Sequence, residues 1–366
     1  MKMIWMLLFM ALPLAGIVYV AWHVWTLLPL ANVWKWGVIV AGVLCFLTLF
    51  INFSGNLERL PLPLGQVLYE IGTSSVIVLL YMVMTFLVLD LGRLVHLVPK
   101  SWLCSNGVTS VAVVGFLVTL LLCGNIHYHN KVRVPLTITT DKPLPHDYRL
   151  LMASDLHLGY HNTRADLARW VDMMNGEQPD LILIAGDIID ISVHPLLAED
   201  MATEFRRLKA PVYACLGNHE YFSGTPNARQ FFQDAGIRLL SDTAVTVDDA
   251  LVIIGRDDRF NPRRKSLRAL LDSNALSSTA FTIVLDHQPH ALERTEQAGV
   301  DFQLSGHTHR GQVWPVSWIT DAIYECSWGS HQRGNTRYYV SSGLGIWGGK
   351  FRIGTQSEYV VATLKN

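Results

Sequence analysis

The stretch LILIAGDIID, residues 181–190, decides the fold. Its first five residues are uninterrupted and aliphatic, and the run is too short for a helix. That pattern predicts a strand buried on both faces. Gly186 closes the run and permits a sharp turn, which leaves Asp187 at the strand's C-terminal end. The same pattern recurs on either side. Apolar runs at residues 148–154, 212–216, 281–285 and 302–304 lead into Asp155-Leu156-His157, Gly217-Asn218-His219-Glu220, Asp286-His287 and Gly306-His307-Thr308-His309. Further strands are expected at residues 136–140, 250–254, 337–340 and 359–364. Helical periodicity marks residues 164–175, 196–208 and 225–235, the last with Pro226 in its first turn. Alternating strands and helices predict an α/β domain with sheet between helices. Residues 310–335, rich in Trp, Gly and Ser, read as loops.

The region before this domain has a different composition. The chain has 366 residues and a formal net charge of -1, but nearly all its charged side chains lie beyond residue 128. Apolar runs near residues 4–28, 33–53, 68–91 and 108–126 are each long enough to cross a bilayer, which takes roughly 20 residues per helix. Trp22, Trp25, Trp34, Trp36 and Trp102 fall near their ends, as interfacial anchors do. The first run is too long for a signal peptide and lacks a small-residue cleavage site. Two units follow: an all-α transmembrane region of about four helices over 1–128 and the α/β domain over 129–366. Four spans put the N-terminus and the α/β domain on one side. Lys2, Arg59, Lys131 and Arg133 lie there, against Lys35, Arg93 and Lys100 opposite, so the positive-inside rule predicts a cytoplasmic domain. No run carries a ladder of ionisable groups, so a transporter is not suggested. A near-zero net charge gives no reason to expect nucleic acid, and five irregularly spaced cysteines make no disulfide framework.

Open α/β sheets bind ligands at the C-terminal ends of their strands. Here separate segments deliver Asp, Asn and His to that edge. In Asp-x-His and His-x-His pairs, period-two spacing in an extended chain aims both side chains the same way. Imidazole, carboxylate and amide oxygen without thiolate suit manganese, iron or zinc. Two such ions need a bridging carboxylate, and Asp187, central in chain order, is the best candidate.

Together these segments resemble the calcineurin-like metallophosphoesterases, over roughly residues 145–366. The resemblance implies a four-layer α/β/β/α sandwich and a hydrolase of phosphoric esters or anhydrides with two divalent ions, manganese first. It implies that Asp155, His157, Asp187 and His309 hold one ion. Asp187, Asn218, His287 and His307 would hold the other. His219 would be the general acid or transition-state stabiliser. With spans ahead of it, the run Gly306-His307-Thr308-His309-Arg310-Gly311-Gln312 resembles the membrane-associated branch of the family, transmembrane proteins with a metallophosphoesterase domain. That branch has been linked to hydrolysis of UDP-2,3-diacylglucosamine in lipid A synthesis, which implies a lipid-linked substrate at a bacterial-type inner membrane. Substrates vary widely on one fold.

Other residues near these motifs carry two readings. Arg164, Arg256, Arg259 and Arg310 are surface or ion-paired residues, or phosphate forks; Arg310 and Arg164 are the substrate-binding candidates. Asp190 either orients a ligand imidazole or caps the following segment. Arg263-Arg264-Lys265 is a solvated face or a contact for anionic lipid. Trp314, Trp318, Trp328 and Trp347 pack the core or form an apolar lip for an acyl chain. Two alternatives stand beside the lipid phosphoesterase. One is a phosphomonoesterase or nucleotide phosphodiesterase merely anchored at the membrane, which would keep its activity without residues 1–130. The other is a non-catalytic metal-binding scaffold, against which the intact His219 argues.

Overall fold

The computed structural model describes residues 2–273 and 279–366, with the side chains of 2–10, 53 and 273 also outside the description. It divides into two compact units, one of Met1–Asn125 with Gly348–Lys350, the other of Ile126–Trp347 with Phe351–Asn366.

The first unit is helical. Helices Asn32–Phe53, Leu62–Leu94 and Gly107–His129 are long and apolar enough to span a bilayer. The expected first span corresponds to helix Lys2–Leu27, of which Ala11–Leu27 forms a shorter apolar stretch within the described side chains. Their outward faces carry Val33, Val88, Leu91, Val108 and Val111 in the open, as lipid-facing helices do. Several polar groups among them are paired. Asp90 accepts from the Tyr19 hydroxyl at 2.7 Å and lies 3.0 Å from His23 Nε2, and Lys35 donates to the Trp25 carbonyl at 2.8 Å.

The second unit holds two six-stranded sheets. In chain order the strands are β1 Val132–Thr139, β2 Tyr148–Ala153, β3 Leu181–Ala185, β4 Val212–Cys215, β5 Arg238–Leu239, β6 Thr243–Val247, β7 Leu251–Gly255, β8 Phe281–Leu285, β9 Phe302–Ser305, β10 Gly329–Arg333, β11 Thr336–Val340 and β12 Glu358–Lys365. One sheet runs β1-β12-β2-β3-β4-β5 and the other β10-β11-β9-β8-β7-β6. Within them β2 to β5 are parallel, and so are β7, β8, β9 and β11.

Period-two alternation builds the layers. Leu150 and Met152 of β2, Leu183 of β3, Ile253 of β7 and Ile283 of β8 meet in one core between the sheets. Their neighbours turn outward. Leu151, Ala153, Ile182 and Ile184 pack against Leu167, Trp170 and Val171 of helix Arg164–Gly176 and Phe231 and Phe232 of helix Thr225–Asp234. Val252, Ile254 and Val284 pack against Leu267 and Leu270 of helix Leu267–Ser273. The result is the helix–sheet–sheet–helix order that the family resemblance implies.

Two readings change. The helix expected over residues 196–208 is two short pieces, His194–Ala198 and Met201–Phe205, because Asp200 adopts a left-handed backbone at φ 48° between them. Residues 310–335 are not all loop: they contain helix Val316–Ile323 and strand β10. Trp and Gly density hid both, since the helix is short and β10 is a half-exposed edge strand.

Candidate metal centre

The parallel strands deliver their polar residues to one edge. Asp155 and His157 follow β2, Asp187 follows β3, Asn218 and His219 follow β4, His287 follows β8, and His307 and His309 follow β9. The local backbone differs from the extended pairs expected. Asp155, His157, Asp187, His307 and His309 have φ of 54°, 46°, 52°, 72° and 48°. Left-handed turns rather than a pleat aim these side chains inward, a strained state that surrounding packing must hold.

Three groups of donors lie close enough to share ions: Asp155, His157 and His309; His157, Asp187 and His219; Asp187, His287 and His307. In each the ligand atoms fall within 4.8 Å of one another. His157 Nε2 is 3.0 Å from His309 Nε2, 3.8 Å from Asp155 Oδ1 and 3.7 Å from Asp187 Oδ2. His287 Nε2 is 3.0 Å from Asp187 Oδ2 and 3.2 Å from Asn218 Oδ1, which also lies 2.8 Å from His307 Nδ1. Two imidazole nitrogens facing each other across 3.0 Å, among buried carboxylates, fit a bound cation better than they fit each other. The nitrogen and oxygen donor set suits a dinuclear divalent centre, with Asp187 common to two of the groups.

The surroundings hold the donors in place. Asp190, fully buried, puts Oδ1 at 3.3 Å from His157 Nδ1 and 3.1 Å from His219 Nδ1. His287 Nδ1 faces the Ala185 carbonyl at 2.7 Å. Glu220 accepts from the amides of Gly217, Asp187 and Ile189 at 2.7, 3.1 and 3.0 Å, which ties the β3 and β4 loops together. Asn162 donates to the carbonyls of Leu156 and His157 and accepts from the buried Tyr128 hydroxyl at 2.5 Å. Arg352, with no exposed surface, donates to the carbonyls of His309, Ser342 and Gly345. Two glycines admit this crowding. A Cβ on Gly217 would fall 2.1 Å from Asp187 Oδ1, and one on Gly306 would fall 2.2 Å from Asp155 Oδ2.

Charge sorts the donors. Burial alone would lower His157, but Asp155, Asp190 and Asp187 outweigh it and raise it to about 10. His287 is raised in the same way, chiefly by Asp187 against burial. Burial, reinforced by His287, lowers His307 to about 4. Burial also drives His309 well below its ordinary value, leaving both imidazoles neutral with lone pairs to give. Burial pushes Asp155 and Asp187 up, and the neighbouring imidazoles pull both below the usual carboxylate range.

Of the two substrate-binding candidates, Arg310 follows His309 and lays its guanidinium over Trp328, 4.2 Å from the ring centroid. Arg164 opens helix Arg164–Gly176 and is tied to Glu204 at 3.0 Å and to the Glu199 carbonyl at 3.1 Å, outside the donor groups. Glu220, Asn162, Tyr128 and Arg352 carry roles here that their sequence context does not announce. Glu220 stood in a quoted motif, whereas Arg352 has no local signal, because its partners are backbone carbonyls distant in sequence.

A sandwich with clustered Asp, Asn and His at its strand ends defines a metal-dependent phosphoesterase. Residues 148–311 match the calcineurin-like phosphoesterase family. An uncharacterised metallophosphoesterase of Aquifex aeolicus is 32% identical over 240 residues, covering 63% of this chain and 90% of that protein. A transmembrane protein with metallophosphoesterase domain from Danio rerio is 31% identical over 59% of this chain and 53% of its own length. A solved dimetal phosphatase from Danio rerio aligns at 13% identity and a TM-score of 0.37, over 54% of this chain and 87% of that one. The chain belongs to the calcineurin-like metallophosphoesterases.

Proposed function

We propose that this protein hydrolyses a phosphodiester or pyrophosphate bond in a lipid-linked substrate, with UDP-2,3-diacylglucosamine as the first compound to try. The observation that carries the lipid is an exposed apolar face beside the donor cluster. Helix Val316–Ile323 begins five residues after Gly311 and leaves Trp318, Ile319 and Ile323 exposed, with Trp314 half-open just before it. Tyr324, directly after the helix, approaches the ring of the proposed ligand His307 at 6.4 Å between centroids. Bulky apolar side chains in water are costly unless they meet a lipid or a partner. The same chain carries bilayer-length helices, so an acyl chain is the natural occupant.

Asp155, His157, Asp187 and His309 would hold one ion, and Asp187, Asn218, His287 and His307 the other. Two divalent cations there would supply Lewis acidity toward phosphoryl oxygens and toward a water nucleophile. Manganese is the first choice, with iron or zinc also compatible with the donors. His219, whose Nδ1 lies 3.1 Å from Asp190 Oδ1, would keep Nε2 for the leaving oxygen as general acid. Arg310 is the proposed phosphate fork, with Arg164 the second candidate. The positive-inside count supports a cytoplasmic catalytic domain, and the UDP-2,3-diacylglucosamine reading goes with a bacterial-type inner membrane.

The test is kcat/KM of full-length, metal-loaded Trp318→Ala/Ile319→Ala protein. Both side chains are exposed, so folding should survive. The expected result is a loss of about tenfold or more on a phosphorylated lipid in vesicles, with bis(p-nitrophenyl) phosphate hydrolysed as before. Equal rates on the lipid would refute the acyl-chain role. No turnover of any phosphoester with metal bound would refute the enzyme.

A further inference from the structure

A second polar cavity, of about 320 Å³, lies at the same strand edge and is lined by Arg256, Arg259, Arg264, Lys265 and Arg294, with Asn261 and no carboxylate. Arg256 follows β7, and its amide donates to Leu285 at the end of β8. The cavity is built rather than merely charged. Asp286, buried beneath it, accepts from Arg256 Nη1 at 2.7 Å and from Arg264 Nη1 at 3.0 Å. One carboxylate thus fixes two guanidiniums and leaves them a net positive charge. Arg256 is about nine-tenths buried, and its Nε has no hydrogen-bond partner. A buried guanidinium donor without an acceptor is expensive. Among the described residues, none pairs with the exposed side chains of Arg259, Lys265 or Arg294.

The cavity also adjoins the metal centre. Asp286, which clamps its floor, is followed directly by His287, whose Nε2 lies 3.0 Å from Asp187. The dipeptide therefore turns one side chain to each site. Five cations converging over a single buried carboxylate make a receptor for a multiply charged oxyanion. A solvated basic run, the first reading of Arg263-Arg264-Lys265, would not bury Arg256 or hold Arg264 by a buried aspartate.

We propose that this cavity binds a second phosphoryl group of the substrate, while the first lies at the adjoining metal centre. The substrate class is accordingly a diphosphate-linked or otherwise doubly phosphorylated compound. The inference rests on the phosphoesterase reading of the centre but not on the lipid.

The test uses full-length, manganese-loaded protein in detergent at fixed free metal, with orthophosphate, pyrophosphate and tripolyphosphate as competitive inhibitors of bis(p-nitrophenyl) phosphate hydrolysis. The wild-type protein should bind the longer anions progressively more tightly than orthophosphate. In Arg259→Ala/Arg294→Ala, the ratio of tripolyphosphate to orthophosphate affinity should fall about tenfold or more, the scale of one lost charged hydrogen bond. Arg263→Ala/Arg268→Ala removes the same net charge outside the cavity and should leave that ratio as in wild type. An unaltered ratio in the first variant, or an equal fall in both, would overturn the subsite. A second arm compares a soluble nucleoside diphosphate ester with a diphosphate-linked lipid in phosphatidylcholine vesicles. Weakening of both supports the phosphoryl subsite, whereas weakening of the lipid alone assigns these arginines to the bilayer surface and overturns it. The polyphosphate arm contains no lipid, so the lipid reading can fail while this one stands.

Discussion

Asp190 shows how much a single side chain can control. Its sequence context allowed an orienting partner or a cap, and the structure puts one carboxylate oxygen against both His157 and His219. One group therefore orients a proposed metal ligand and the proposed acid together. Asp190→Asn keeps the shape and removes the charge. Metal affinity should fall about 10- to 100-fold, measured as bound manganese against free manganese, and kcat should fall as well. His219→Ala should separate the two effects, with metal content intact and kcat down roughly 10²- to 10⁴-fold. If Asp190→Asn leaves both metal affinity and kcat at wild-type values, the shared-anchor role is wrong.

At the scale of elements, the strand ends matter more than the strands. The donors sit on left-handed turns, and the loops after β2, β3, β4 and β9 pack so closely that glycine is required between them. At Gly217 any side chain would meet Asp187 Oδ1 and its amide at 2.1 and 2.6 Å. Backbone does not yield as a flexible side chain does. Gly217→Ala should cost roughly 2–3 kcal/mol of stability by overpacking and disrupt metal binding at Asp187. Thermal melts with and without manganese would check it, the expected outcome being a lowered Tm and a lost metal-dependent gain. A variant that melts and binds manganese like wild type would show that the loop can relax. Helix Val316–Ile323 illustrates the opposite case, an element defined by what it leaves exposed.

At the scale of the whole molecule, the donor cluster ties charge to stability. Without metal, His157 is raised from about 6.5 to about 10. The folded state holds that proton more tightly than the unfolded chain does. The stabilisation is complete below about pH 6.5 and disappears as pH rises toward 10. Asp155, Asp187 and Asp190 are depressed, so their contribution is present above about pH 4 and lost on acidification. His307 and His309 are lowered, so their contribution is lost as pH falls below about 6.5. These donor groups together should therefore make metal-free protein most stable near pH 6.5. Cations compete with the imidazole protons, so affinity should rise with pH and loading should release protons. The Tm difference between manganese-loaded and chelator-treated protein should grow from pH 6 to 9 by roughly several degrees. A difference independent of pH would show that the imidazoles do not exchange protons for metal.

The apolar runs, their glycine stops and the Asp, Asn and His that follow were legible in the chain, because strand periodicity and ligand chemistry are local properties. The bilayer-length helices were legible for the same reason. The sequence by itself therefore determined the α/β class, the family resemblance, and the residues from Asp155 to His309 that would meet. It did not determine how they meet. The pleat argument for Asp-x-His pairs gave way to positive φ, since backbone strain at a strand end is set by what packs around it. Only tertiary structure placed Asp190 between two imidazoles, Arg352 under the His309 loop, and Asp286 beneath a ring of arginines. Each of those contacts joins groups far apart in the chain, and burial, which makes them strong, exists only once both sheets have closed over a common core.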